Sequence, residues 1–424
     1  MKVLLISINR EEMNMRTWPL GAACVAASVQ QAGHTVELLD LMHVGDPIAS
    51  VRTAISEFHP DVIGVSVRNI DSQKMSDPIC FLESAREIVA EFKALTLAPI
   101  VLGGAGYSIY PVSLLKYLGA DMGIQGEGEM SFLDLIDRLE QHTDLKGVPG
   151  LYLPGSGLQG LRRYEKDLDR FPLPNTRLAA DSVFRGDDFW FPVQTRRGCP
   201  MNCSYCSTAA IEGCLLRKRS PLTVIRWMTE WVKLGLKRYY FVDNTFNIPP
   251  SYAKILCEEL IAASWDIKWR SILYPVNVNE ELIRLMAAAG CVEVSLGFES
   301  GSELILQGMN KKFSPKDVND ASDLLRKFGI RRMGFLLLGG PGETRESALE
   351  SLQFADSLKL ESLKLTVGIR IYPGTSLAKI AVKEGIIAAS DDLLEPRFYM
   401  AHGLGYWLKE TVDHWMLEHP NWIS

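Results

Sequence analysis

Short apolar runs rich in β-branched residues recur along most of this chain, with helix-patterned stretches between them, and no other feature restricts the fold so strongly. Val3–Ile6, Val36–Leu39, Val62–Val67 and Ile100–Leu102 are four such runs near the start, followed by Met122–Ile124. Runs this short and this continuously apolar suit strands buried on both faces, as in parallel sheets. Between them Leu20–Gln31 and Ile79–Phe92 carry helical spacing, and Gly33 is a natural stop for the first. The alternation predicts an α/β doubly wound, Rossmann-like sheet over residues 1–142, with helices on both faces.

Residues 143–185 break the pattern. Leu151–Leu153 is strand-like, but Phe171-Pro172-Leu173-Pro174 resists both helix and central strand because each proline lacks a backbone donor. This stretch is expected to be a connector ending near Asp181. From Phe191 the alternation resumes, with strand candidates at Phe191–Gln194, Tyr239–Val242, Lys268–Leu273, Val292–Leu296, Met333–Leu338 and Leu363–Ile369. Six such units predict a partial (β/α)6 barrel over residues 186–386, with its chemistry at the C-terminal ends of the strands. The remaining segment, 387–424, has no clear repeat. Its Trp407, Trp415 and Trp422 suit a small terminal helix that buries them.

Composition narrows the partners. A formal charge of −6 and a pI near 5.8 give no broad basic field for a phosphate backbone, so nucleic acid is not expected. The one basic cluster, Arg217-Lys218-Arg219, reads as a solvated turn. No apolar run approaches the roughly 20 residues that span a bilayer. The first apolar run, Val3–Ile6, is too short for a secretory leader and lacks a small-residue cleavage site. A cytoplasmic protein with reduced thiols is therefore expected.

Three of the eight cysteines, Cys199, Cys203 and Cys206, lie within RRGCPMNCSYCST. CxxxCxxC spacing can set three sulfurs round one cubane iron–sulfur cluster and leave one iron open to a small molecule. A zinc knuckle would want a fourth Cys or a His at a defined spacing, and only Cys214 is near. A redox pair at Cys203 and Cys206 would leave Cys199 idle. The spacing by itself leaves both alternatives open.

The setting adds to it. CPMNCSYC follows the strand that opens the second alternating region and carries an aromatic, Tyr205, just before the last cysteine. Here the chain resembles the radical S-adenosylmethionine (SAM) superfamily. The resemblance implies that Cys199, Cys203 and Cys206 hold a [4Fe–4S] cluster whose open iron chelates the amino and carboxylate groups of SAM. Tyr205 would line the adenine side. Three later stretches match at the expected strand ends: Phe241–Phe246, where Asp243 and Asn244 would meet the methionine amino group; Gly297–Ser302, holding Glu299 and Ser300; and Leu338–Thr344, where Gly339 and Gly340 would let backbone approach the nucleoside. Each has an ordinary structural role as well, such as a turn or a helix cap.

The first 140 or so residues resemble the cobalamin-binding domain that precedes the radical domain in one large branch of that superfamily. Trp18–Gly21, Ile100–Gly106 and Gly126–Glu129 carry the match. The resemblance implies a nucleotide tail lying along Gly103, Gly104, Gly126 and Glu127. A dinucleotide-binding domain is not expected, because Val3–Ser7 is followed by Ile8-Asn9-Arg10-Glu11-Glu12 and not GxGxxG. The loop also lacks the Asp-x-His-x-x-Gly signature whose histidine coordinates cobalt, and His34, His43 and His59 lie elsewhere. Cobalt is thus expected without a protein imidazole. The loop Val67-Arg68-Asn69-Ile70-Asp71 leaves the third strand, where such a sheet presents ligands, and would bring Arg68 to the lower cobalt face.

Together these expectations describe a cobalamin-dependent radical SAM methyltransferase acting on an unactivated carbon of a metabolite or natural-product precursor. The alternative within enzymes is a radical cyclase or oxidative rearrangement enzyme without net methyl transfer; outside them it is a non-catalytic electron carrier. The expected partners are a small-molecule or lipid-like substrate and a reductant such as flavodoxin or ferredoxin.

Overall fold

The computed structural model describes residues 1–11, 16–179 and 189–424. Glu12, the expected end of the connector at Asp181 and the expected boundary between 185 and 186 lie outside these residues. The chain forms two compact units. The first comprises Met1–Ser72, Ile79–Phe191 and Thr208–Gly213; the second comprises Gln73–Pro78, Pro192–Ser207 and Cys214–Ser424.

In the first unit, strands β1 (Lys2–Ser7), β2 (Thr35–Asp40), β3 (Val62–Ser66), β4 (Ile100–Gly103) and β5 (Met122–Ile124) run parallel in the order 2-1-3-4-5. The apolar runs of β1, β3, β4 and β5 are buried, while Val36, Leu38 and Leu39 of the edge strand β2 are only half-buried; the helices that flank the sheet are α1 (Leu20–Gln31), α2 (Pro47–Phe58), α3 (Leu82–Leu95), α4 (Ala105–Ile109), α5 (Pro111–Leu118) and α6 (Gly128–Glu140). Local chemistry ends and starts these helices. Asp46 accepts from the Ala49 N–H to cap α2, and Gly119 closes α5 in a left-handed turn at φ 67°.

The connector expected over 143–185 is partly sheet. β6 (Leu151–Leu153) pairs antiparallel with β5, and β7 (Gly157–Leu158) pairs with β6, so the sheet has seven strands. The glycines that look like linker residues make this hairpin turn, with Gly155 at φ 73° and Gly157 at φ 67°.

The second unit is a parallel sheet of β8 (Phe191–Val193), β11 (Arg238–Phe241), β12 (Lys268–Leu273), β13 (Cys291–Glu299), β14 (Arg331–Leu338) and β15 (Ser362–Val367), each beside the next. A short antiparallel clasp, β9 (Arg196–Arg197) with β10 (Arg217–Lys218), follows β8. The expected solvated turn at Arg217–Arg219 is part of this clasp, and Arg217 and Arg219 are buried. α7 (Thr208–Glu212) lies between the clasp strands in sequence and belongs to the first unit. α8 (Pro221–Lys233), α9 (Pro250–Ala263), α10 (Glu280–Ala288), α11 (Glu303–Gly308), α12 (Pro315–Lys327) and α13 (Arg345–Ser357) connect the strands.

Burial alternates along β14, where Arg332, Gly334, Leu336 and Leu338 are buried and Met333, Phe335 and Leu337 between them are only half so. The more deeply buried face of the sheet packs on helices. On the helix side Trp269 is fully buried, 5.1 Å from the Phe241 ring and 4.9 Å from Phe246, and its indole N–H donates to the Ala289 carbonyl at 2.8 Å. Burying a ring of this size contributes roughly 2–3 kcal/mol.

The last residues hold β16 (Ile369–Arg370) paired with β17 (Phe398–Tyr399), α14 (Ser376–Lys383), α15 (Gly405–Glu418) and β18 (Trp422–Ile423). The terminal helix forms, but it does not bury the tryptophans as expected: Trp407 and Trp415 are only half-buried, and the buried Trp422 lies on β18, which adds a seventh strand, parallel to β15. His419 anchors it, stacked on both Trp415 and Trp422, which also stack on each other at 5.8 Å, with Nε2 3.0 Å from Asp356. Trp407 instead lies under the Arg345 guanidinium. Among the described residues no helix is long and apolar enough to cross a membrane.

Candidate active site and cofactor crevice

The clasp closes the base of the cysteine loop, since β9 leads in and β10 leads out. Gly198 at φ 83° and Asn202 at φ 53° turn the loop through left-handed conformations. Its backbone is held from two other segments. Ser204 N–H donates to the Met309 carbonyl at 3.0 Å, Leu377 N–H donates to the Ser204 carbonyl at 2.8 Å, and the Asn310 amide donates to the Asn202 carbonyl at 2.7 Å. Cys199, Cys203 and Cys206 are half-exposed and form no disulfide. Burial pushes the Cys203 thiol up, and the nearby Lys311 ammonium draws it partly back. Among the described residues no three His, Cys, Asp or Glu side chains gather in the space of one ion. Three soft thiol donors on one anchored loop, with no imidazole or carboxylate among them, fit an iron–sulfur cluster.

Glu299 ends β13 at φ 63°, after a bulge between Gly297 and Glu299. A bulge re-aims the side chain that follows it, and a left-handed glutamate costs about 1–3 kcal/mol, a combination typical of functional positions. Its Oε1 lies 3.1 Å from Lys311 Nζ. That ammonium stands 5.4 Å from the centroid of the Tyr205 ring. Tyr205 is therefore against the cysteine loop and packed on a cation, with its hydroxyl pushed well up by burial and then by Glu299. Lys311 was not singled out from sequence.

Several expected contacts take a different role. Asp243 is 1% exposed, and both its oxygens are engaged: Oδ1 accepts from the Thr195 and Arg196 N–H groups, and Oδ2 from the Thr195 hydroxyl and the Arg196 guanidinium. This carboxylate holds the entry to the cysteine loop and does not face a ligand. Asn244, next to it, is half-buried. Ser300 is turned into α13, 2.8 Å from the Ser351 hydroxyl, and also accepts from the Ser302 N–H. The N–H groups of Gly339 and Gly340 donate to one oxygen of Glu343. Glu343 is itself buried, which pushes its carboxyl up to about 7, and its other oxygen has no partner among the described residues. Gly339, at φ 94°, holds a left-handed conformation that strains any other residue, and it lies against the tip of the Met400 side chain.

In the first unit the chain leaves β1 toward β2 on one side and returns to β3 on the other. The carboxyl ends of β1 and β3 therefore form the switch point at which doubly wound sheets bind ligands. Arg68 and Asn69 lie exposed on the loop after β3, at that point. Their position depends on bare glycine: a methyl on Gly104, at φ 95°, would lie 2.7 Å from the Val67 carbonyl oxygen, and one on Gly106 2.8 Å from that of Arg68. Gly103 is different, because nothing lies within 4 Å of where its Cβ would be. Gly126 N–H donates to the Ser108 hydroxyl at 3.0 Å, and Glu127 accepts from the Glu165 N–H at 3.2 Å. Asn9, just past β1, was not singled out from sequence; it is buried and its Oδ1 has no partner among the described residues. Open space at Gly103 and an orphaned amide oxygen at a switch point fit a cofactor bearing polar groups, as cobalamin does.

Comparison with known proteins finds a known family in each part of the chain. Residues 193–355 match the Radical SAM superfamily, and residues 6–136 match the B12 binding domain. An uncharacterized methyltransferase of Pyrococcus horikoshii is 28% identical over 398 residues, covering 91% of this chain and 84% of that one. The tryptophan 2-C-methyltransferase of Streptomyces laurentii is 23% identical, covering 88% and 73%. The solved structure of the radical SAM methyltransferase TsrM from Kitasatospora setae, with cobalamin and a [4Fe–4S] cluster bound, superposes with a TM-score of 0.86 at 22% identity, covering 100% of this chain and 90% of that one.

Proposed function

The chain belongs to the radical SAM superfamily, in the branch that carries a B12 binding domain, and from that premise we propose that it methylates an unactivated carbon of a small organic acceptor, a metabolite or natural-product precursor. Its cofactors are a [4Fe–4S] cluster, SAM and cobalamin. When bound, they supply a 5′-deoxyadenosyl radical that removes a hydrogen and a cobalt-carried methyl group that replaces it.

The observation that carries the proposal is the coexistence in one chain of an anchored three-thiol loop and an open switch-point crevice. The methyltransferase names of the relatives support it. In this proposal Cys199, Cys203 and Cys206 ligate the cluster. Tyr205, Asn244, Glu299, Gly339 and Gly340 border SAM, with Asp243, Ser300 and Glu343 holding the loops that present them. Arg68, Asn69, Gly103, Gly104 and Gly126 border the corrin and its tail, and Glu127 steadies that edge through Glu165. Arg68, a cation with no proton to exchange at neutral pH, would place a fixed positive charge beside the corrin, whose cobalt would supply the methyl carrier. The electron comes from a reductant of the flavodoxin or ferredoxin kind.

The test is anaerobic turnover of the reconstituted protein with SAM, a chemical reductant and an extract of small metabolites, followed by mass analysis. One 5′-deoxyadenosine and one S-adenosylhomocysteine per new methyl group is the expected result. Substrate consumed with 5′-deoxyadenosine formed, but with no S-adenosylhomocysteine and no methyl gain, would replace methylation by a cyclase-like reaction.

A further inference from the structure

Lys311 is 5% exposed, deep for a residue in the short link between α11 and α12. Three rings surround its ammonium, with centroids at 5.4 Å for Tyr205, 5.9 Å for Tyr274 and 5.7 Å for Phe313. Its carboxylate partner, Glu299 at 3.1 Å, is itself only 14% exposed. Backbone on both sides of Lys311 is fixed. Met309 and Asn310 hold the cysteine loop through Ser204 and Asn202, and Lys312 N–H donates to the Tyr274 hydroxyl at 3.0 Å.

A buried ammonium is costly unless paired, and aromatic faces add attraction but no counter-charge. Tyr205, on which this one rests, lies between Cys203 and Cys206 in the loop. The ion pair is thus built into the wall of the three-thiol loop, with its polarity fixed by packing.

We propose that Lys311 is a positioning residue that sets the electrostatics of the cysteine loop, holding Glu299 in place and stabilising the added negative charge when the cluster there is reduced. The proposal rests on the reading that Cys199, Cys203 and Cys206 hold that cluster. Reduction adds one electron, so a neighbouring cation favours the reduced form and a neighbouring anion opposes it, more strongly in a low-dielectric wall than in water. The two members of the pair must then act in opposite directions.

The experiment compares anaerobically reconstituted wild type, Lys311→Met, Lys311→Arg and Glu299→Gln. Iron per chain is measured first, and the cluster is then titrated against potential by paramagnetic resonance without SAM. Lys311→Met should lower the reduced-to-oxidised ratio at the wild-type midpoint about tenfold, which is about 59 mV for one electron. Glu299→Gln should raise that ratio, and Lys311→Arg should leave it near wild type. Full iron loading with unmoved midpoints, or Met and Gln variants moving the same way, would overturn the proposal. Should Lys311→Met fail to hold iron, a raised ratio in Glu299→Gln beside an unmoved Lys311→Arg still supports the proposal, and an unmoved or lowered ratio in Glu299→Gln overturns it. A wild-type chain that holds no cluster would overturn the cluster reading, and this proposal with it.

Discussion

Removing the Asp243 carboxylate tests whether this strand-end residue holds the fold or holds a ligand. In Asp243→Ala the Arg196 guanidinium keeps the carbonyls of Phe246 at 2.5 Å and Ile248 at 3.1 Å and the Thr195 hydroxyl at 3.2 Å, with no counter-charge, and stays 1% exposed over the Phe246 and Tyr252 rings. The N–H groups of Thr195 and Arg196 lose their acceptor in the same step. Breaking a buried pair by removing one partner costs about 3–5 kcal/mol. In a unit of this size each kcal/mol lowers the melting temperature by about 2–4 °C, so a fall of about 10 °C is expected. Thermal melts of the metal-free protein would measure it, with iron content of the reconstituted protein as a second readout, because Arg196 opens the clasp. Arg196→Met should cost less, since Asp243 keeps its two backbone donors, and the double variant should show a coupling of about 1–3 kcal/mol. An unchanged melt in Asp243→Ala together with weakened SAM binding would refute this reasoning and return the carboxylate to the ligand.

Three further outcomes are expected. Replacing Cys199, Cys203 or Cys206 by Ala should each abolish a cluster of about four irons, while Cys24→Ala, Cys80→Ala, Cys257→Ala and Cys291→Ala should keep it; iron retained in any of the first three would undo the ligand assignment. Glu343 has a folded pKa raised to about 7 from 4.5, so its stabilising contribution is complete below pH 4.5 and is lost as pH rises through 7. That loss is about 3 kcal/mol, and Glu343→Gln, which still accepts from Gly339 and Gly340, should flatten the pH dependence of urea unfolding over this window. Gly104→Ala forces a methyl to 2.7 Å from the Val67 oxygen at φ 95°, so cobalamin binding, followed by its absorbance, should fall while iron loading stays intact.

How much of this could be read from sequence depends on whether the cause is local. β5 (Met122–Ile124), β12 (Lys268–Leu273) and α1 (Leu20–Gln31) have the bounds their patterns suggest, because a run buried by its own composition needs no distant help to declare itself. β18 could not be seen this way. Trp422 and Ile423 become a strand only by pairing with Leu363 and Lys364, some sixty residues earlier in the chain. The hairpin of β6 and β7 is an intermediate case, since Leu151–Leu153 is visibly strand-like but its partner Ile124 is not visible from it.

The site divides along the same line, and Asp243 and Lys311 mark its two sides. Asp243 follows a strand whose end must reach the barrel mouth, so its location was legible, but its direction was not. Direction is decided by what competes for the carboxylate, and Arg196 with two backbone N–H groups outbids any outside ligand. Lys311 is the reverse case: nothing local marks it, and its burial depends on rings at 205, 274 and 313 that only the fold assembles. Strand-end patterns thus identify which residues can reach the mouth, while the hydrogen-bond inventory decides which remain to meet a cofactor. On that inventory the cysteines and Glu299 stay at the mouth, Asp243 and Ser300 withdraw into the wall, and Lys311 enters as the charge to which Glu299 answers.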